Sequence, residues 1–297
     1  METEDKPETE EQIFPSIGFV IKTSTWIIKL KREKKFPIHK VNTRIIGPDG
    51  LISLSLLILT LRQKNITPFF PDIANECLEK LKDYNIINLV NPDYVQPRIL
   101  LGARNSPLFP VTKITPENRK DQLKEIYNHM RSRFPQKDFT EFESQIEAII
   151  DNVYKHSGSL DGAYLTYYVS RKPDMLHLAI GDLGIGIPAS VNRTLKQAGK
   201  AKESDISIVC KAFRGTPGIK EEPTKTGKGL NNLYLFMRRN DGRIRIFTRD
   251  ITLDRIGAFF KDVPEWENVE KLRSEGINGT IVTLRLIIDN LPKRRLY

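Results

Sequence analysis

Asp182 ends a run, residues 175–180, that alternates and then fills with apolar side chains, so it reads as a buried strand carrying one carboxylate at its tip. A carboxylate in that setting needs hydrogen-bond donors, and the exocyclic amine of adenine is one. Gly184 and Gly186 come next at alternate positions, where a missing Cβ permits a tight turn and lets a flat ring lie against the backbone. Pro188 then ends any strand.

Asn152 lies on the flank of an apolar stripe formed by Phe142, Ile146, Ile149, Ile150 and Val153, the spacing of an amphipathic helix, and His156 is one turn further on the same flank. An amide oxygen there can ligate a hard cation such as magnesium, which in turn holds phosphate oxygens. Downstream, Gly227 and Gly229 precede Leu230, Leu233, Tyr234 and Met237, a second helical stripe. Glycines before a helix expose N–H groups and the positive end of its dipole to a polyphosphate, and Lys225 and Lys228 add cations at the same place.

These residues carry a resemblance. Ile149-Ile150-Asp151-Asn152-Val153-Tyr154-Lys155-His156 resembles the N box of the GHKL ATPase superfamily, which includes gyrase, histidine kinases and anti-sigma-factor kinases. Asp182-Leu183-Gly184-Ile185-Gly186-Ile187 is similar to its first glycine box, Gly227-Lys228-Gly229-Leu230 to its second, and Gly279-Thr280 to its last. The resemblance implies a Bergerat-type α/β sandwich that binds ATP with Mg2+. Asn152 would coordinate magnesium, and Lys155 would sit beside the nucleotide. Asp182 would bond adenine, sharing a water with Thr280, and residues 189–226 would form a mobile basic lid. Relatives that hydrolyse ATP place a general-base Glu four residues before the Asn; Ala148 stands there, so the catalytic residue is unknown and hydrolysis is expected to be weak or absent.

These motifs need a domain to position them. The 297 residues suffice for two, and a 39% hydrophobic content suits globular cores. Residues 1–14 read as an acidic, disordered tail, 106–117 as a linker with Pro107, Pro110 and Pro116, and 118–297 as the ATP-binding domain. In residues 15–105, strand-rich stretches over 17–30 and 41–46 lead to a turn at Gly47-Pro48-Asp49-Gly50, a buried helix over 51–61, a strand over 66–70, a helix over 74–81 and a short apolar segment over 85–90. This half is similar to a STAS domain of the anti-anti-sigma type, with Asp49 where relatives carry a phosphorylatable Ser. The fold class expected is thus α/β, with two domains.

Cys77 and Cys210 lack metal-site spacing, and the four histidines are scattered, so no zinc centre is expected. No apolar run is long enough to span a bilayer and the N-terminus is not signal-like, which reads as a cytoplasmic protein without membrane attachment. The net charge of +10 lacks aromatic interleaving or a nucleic-acid motif, so specific nucleic-acid binding is not expected. The function expected is an ATP-binding regulator whose lid closes over nucleotide and switches contact with a protein partner, or with a second copy in a homodimer. The alternatives are an anti-sigma-type serine/threonine kinase and a GHKL ATPase with a nucleic-acid-linked role.

Overall fold

The computed structural model describes residues 35–37, 47–65, 67–69, 75–90, 108–171, 174–214, 228–249, 251–255, 269–271 and 277–294. The acidic tail, the strand readings over 17–30 and 41–46, Lys225, Gly227 and the lid beyond residue 214 lie outside them.

The chain is mixed α/β. Strand β1 (Lys35–Pro37) pairs in parallel with β2 (Thr67–Phe69), and helix α1 (Pro48–Gln63) lies between them in sequence. Helices α2 (Asn75–Asp83) and α3 (Ile86–Val90) come after β2. The remainder builds one sheet from β3 (Leu108–Ile114), β4 (Ala163–Arg171), β5 (Asp174–Asp182), β6 (Arg243–Arg249), β7 (Ile251–Arg255), β8 (Val269–Lys271) and β9 (Ile277–Ile287). Its order is β3-β4-β5-β9-β6-β7-β8, with every neighbouring pair antiparallel. Among the described residues five α-helices accompany these strands: α4 (Arg119–Arg133), α5 (Thr140–Asn152), α6 (Ile187–Gln197), α7 (Asp205–Arg214) and α8 (Lys228–Arg239).

Period-two alternation sends side chains of the central strands to two cores. Leu176, Leu178 and Ile180 of β5, with Val282, Leu284 and Leu286 of β9 and Ile244 and Ile246 of β6, meet Leu123, Ile126 and Met130 of α4, the Phe142 stripe of α5, and Leu233, Phe236 and Met237 of α8. The helical spacing read from the sequence is therefore the spacing that fills this face.

On the other face, Tyr164, Ala179 and Ile281 join Leu51, Ile52, Leu54, Leu56, Leu57, Ile58 and Leu61 of α1 in a second core. Ser53 and Ser55 are buried within that helix and donate back to the carbonyls of Asp49 and Leu51 at 2.6 and 2.8 Å, which satisfies their hydroxyls without a tertiary partner.

Three expectations change here. The expected linker 106–117 contains β3, which pairs with β4 and buries Phe109, Val111 and Ile114; Pro110 sits at the irregular step between Phe109 and Thr112, and Pro116 follows the strand. The expected turn at 47–50 is the start of α1, with Gly47 extended as the N-cap and Pro48 in the first turn, a position where a missing N–H costs nothing. Finally, α1 belongs to the expected first domain yet shares a core with strands of the second, so packing is continuous across that boundary. Among the described residues no helix is long and apolar enough to cross a membrane.

Candidate functional site

Asp182 closes β5 directly opposite Thr280 of β9, which is itself opposite Thr248 of β6. Directly opposed residues share a sheet face, so these three polar side chains form a row one step beyond Ile180, Val282 and Ile246, on the α5 and α8 side. Asp182 is 3% exposed. Its Oδ1 accepts the Gly184 N–H at 2.7 Å. Burial pushes its carboxyl up to about 7, against backbone hydrogen bonds from Gly184 and Thr280 that pull it down. The group is therefore poised between acid and carboxylate near neutral pH and gains from any further donor.

The glycine loop after Asp182 is bound to three separate elements. Gly184 packs on Ser157, where a Cβ would collide with both side chain and carbonyl. Ile185 N–H donates to the Ser157 carbonyl at 2.8 Å, and Ile187 N–H donates to Thr248 Oγ1 at 2.9 Å. Gly186 has φ +79° as the residue preceding α6, with Pro188 in the first turn of that helix. Behind the loop, Gly279 has φ +114°, and a Cβ there would overlap the Asp182 carbonyl. Glycine at 184 and 279 thus serves close backbone approach at the carboxylate.

Helix α5 ends at Asn152, and residues Val153–Ser157 continue as a single π-helical turn closed by Gly158 in the left-handed region. Such turns recur at functional sites because the extra residue re-aims the chain. Here it brings Ser157 under the glycine loop. Asn152 faces the first turn of α8, where the Cβ position of Gly229 lies 3.0 Å from Asn152 Nδ2.

Cations gather at the rim. His156 is half-buried and held below the ordinary histidine range by burial, then by Lys155 and Arg193, and Arg193 donates to the His156 carbonyl at 3.5 Å. Lys155 itself turns to Asp151 at 3.6 Å, in an exposed ion pair that contributes little to stability.

The structure brings Asn152, Gly229 and Leu230 together at one end, and Asp182, Gly184, Gly186, Ile187 and Thr280 at the other, with the π turn joining them. Gly229 lies inside α8 rather than before it. Lys228 opens α8. The expected mobile lid begins as two helices, α6 and α7, with Ile208 and Val209 buried, because α7 has an apolar face that packs against α8 and the first core. Ser157 and Thr248 were not read from the sequence as site residues. Thr248 left a signal: it continues the Ile244, Ile246 alternation as a polar residue in a buried register. Ser157 left none, since its place depends on the π turn.

Chemically, the floor offers a deeply buried acceptor beside two hydroxyls, the far wall offers an amide oxygen, and the rim offers positive charge. Among the described residues no group of three or more His, Cys, Asp and Glu side chains could hold a metal by itself. No protein-family model matches the chain, and no curated protein is significantly similar to it.

Proposed function

We propose that the chain is an ATP-binding regulator of the GHKL type, with the sheet and helices α4, α5 and α8 as a Bergerat-type sandwich. The observation that carries this reading is Asp182: a nearly sealed carboxylate at a strand end, walled by glycines, with a carboxyl held up by burial and open to stabilisation by an amine donor. The residues fit magnesium as well. That ion keeps several waters, takes phosphate oxygens and needs only one or two protein oxygens, so Asn152 alone is a sufficient protein ligand.

Arg193 and Lys196 on α6 would supply positive charge toward a polyphosphate, whereas Lys211 of α7 is paired with Glu203 at 2.6 Å. The parallel β1–β2 pair with α1 between its strands supports a STAS-like reading of residues 15–105. Because α1 packs behind β5, nucleotide at the tip of β5 and a partner on the first half of the chain would act on one shared sheet, which gives the switch a physical route. The reading includes a cytoplasmic setting and a protein partner or homodimer. A second reading, an anti-sigma-type kinase, draws on the same pocket, since phosphoryl transfer relies mainly on positioning and charge neutralisation.

Titration calorimetry with MgATP, ADP and GTP tests the proposal. Adenine nucleotides bind and GTP does not, because a guanine presents a carbonyl where the carboxylate wants a donor. Equal affinity for GTP, or no binding of any nucleotide, overturns it.

A further inference from the structure

We infer that Thr248 is a positioning residue that clamps the glycine loop onto the floor of the site, and that this loop acts as a wall for the base and not as a phosphate cradle. The inference rests on the adenine-nucleotide reading of the pocket and goes beyond the residues that reading uses.

Three loop amides have fixed partners: Gly184 N–H on Asp182 Oδ1, Ile185 N–H on the Ser157 carbonyl, and Ile187 N–H on Thr248 Oγ1. These groups are not available to phosphate oxygens. Each partner belongs to a different element, so the loop is tied to β5, to the π turn and to β6 at once. Thr248 provides the most distant tie, 61 residues away in sequence and 1% exposed.

The Thr248 hydroxyl also links the floor. It lies 3.3 Å from Thr280 Oγ1 and 3.4 Å from the Gly279 carbonyl, so it accepts from Ile187 while its proton goes to one of these neighbours. The register of β6 against β9 slips just after it, between Thr248 and Arg249, as happens where a bulge re-aims a strand beside a site. Thr248 therefore joins the start of α6, the Gly279 turn and the row that holds Asp182. Valine has nearly the same shape and the same strand preference but cannot accept the Ile187 N–H.

The test compares Thr248→Val, Thr248→Ser and the control Thr283→Val in the full chain. Thr283 is also buried on β9 but points to the opposite sheet face, and its hydroxyl has no hydrogen-bond partner among the described residues. Two quantities are read: amide exchange at Ile187, and affinity for ADP and adenosine.

Thr248→Val speeds Ile187 exchange about tenfold or more and weakens both ligands by a similar factor, the size expected for one buried hydrogen bond. Thr248→Ser restores both, and Thr283→Val moves neither. Because the clamp acts at the base, adenosine loses as much as ADP; a loss confined to ADP overturns the wall reading. Unchanged Ile187 exchange in Thr248→Val overturns the clamp, and faster exchange with unchanged affinity overturns its positioning role. Failure of the unmodified chain to bind any adenine ligand removes the nucleotide reading and with it the wall for a base, while Ile187 exchange still decides whether the tie exists.

Discussion

Asn152 and Gly229 meet across the gap between the end of α5 and the first turn of α8, with the Gly229 Cβ position 3.0 Å from the Asn152 amide nitrogen. That spacing is tighter than a side chain normally tolerates, so Gly229→Ala displaces the Asn152 amide by a few tenths of an ångström. The same change favours the helix by about 1 kcal/mol. The expected result is unchanged or raised thermal stability with MgATP affinity reduced about fivefold, and no further loss when Gly229→Ala is added to Asn152→Ala. A double-mutant cycle by calorimetry reads this directly; additive losses show that the two residues act independently.

Asp182→Asn abolishes adenine binding and changes how stability depends on pH. The folded carboxyl titrates near 7 and the unfolded one near 3.8, so between these values the folded state holds the extra proton. The contribution of Asp182 to stability accordingly falls as pH rises from about 4 through 7, by up to the order of 4 kcal/mol. The amide carries no such charge. His177, pushed down to about 4 by burial, and His156, lowered for the same reason, make both proteins gain stability as pH rises. Urea unfolding at pH 5 and pH 8 should therefore show the variant gaining more, or losing less, than the unmodified protein; identical pH dependence in the two would place the titration elsewhere.

Ligand affinity runs in the opposite direction. An amine that donates to Asp182 favours the carboxylate, so binding tightens as pH rises through about 7 and weakens below it. Adenosine suits the measurement because it has no titrating phosphate. Affinity that improves on acidification would mean that the protonated carboxyl is the binding form.

Turnover by the unmodified chain should be very slow, and Ala148→Glu should raise magnesium-dependent hydrolysis. Residues 148 and 152 lie one turn apart on α5, whereas Glu147 is drawn toward Arg119 of α4 at 3.9 Å. A well-placed general base contributes about 10²–10⁴-fold, and an unsupported one should reach only the lower part of that range. Phosphate release assays on the two proteins measure the gain. Rapid hydrolysis without the Glu, insensitive to Asn152→Ala, would assign turnover to another site.

Leu56→Ala tests the shared core. Leu56 is fully buried on α1 and its Cδ1 lies 3.1 Å from the Gly181 Cβ position, with Ile52 Cγ2 at 2.5 Å. A large-to-small change here costs about 2–5 kcal/mol. Denaturant unfolding followed through the whole chain should shift as one transition; a loss confined to a separate early transition would restore an independent first domain.

Much of this architecture was legible in the sequence where burial enforces a period. The stripes from Phe142 to Val153 and from Leu230 to Met237 mark helices because one face had to be filled, and residues 175–180 mark a strand ending at Asp182 for the same reason. Proline misled at two places: Pro48 suits a helix start as well as a turn, and Pro110 sits at an irregular edge-strand step that composition cannot distinguish from a linker. The packing of α1 against Ile281 and Ala179 was hidden, since apolarity shows that a helix is buried but not what buries it. Likewise Asn152 and Asp182 were readable as types at spacings, while Thr248 depended on strand register, a long-range property.

The π turn at Val153–Ser157 makes chain length critical in a stretch where side-chain identity is less so. Removing one residue between Asn152 and Gly158 would let the helix close with ordinary α geometry, rotating the downstream residues by about 100° and carrying the Ser157 carbonyl away from the Ile185 N–H. A deletion here would uncouple the two halves of the site even with every binding residue retained. Substitution scanning alone would miss that dependence, because the essential quantity is the number of backbone units between two anchors.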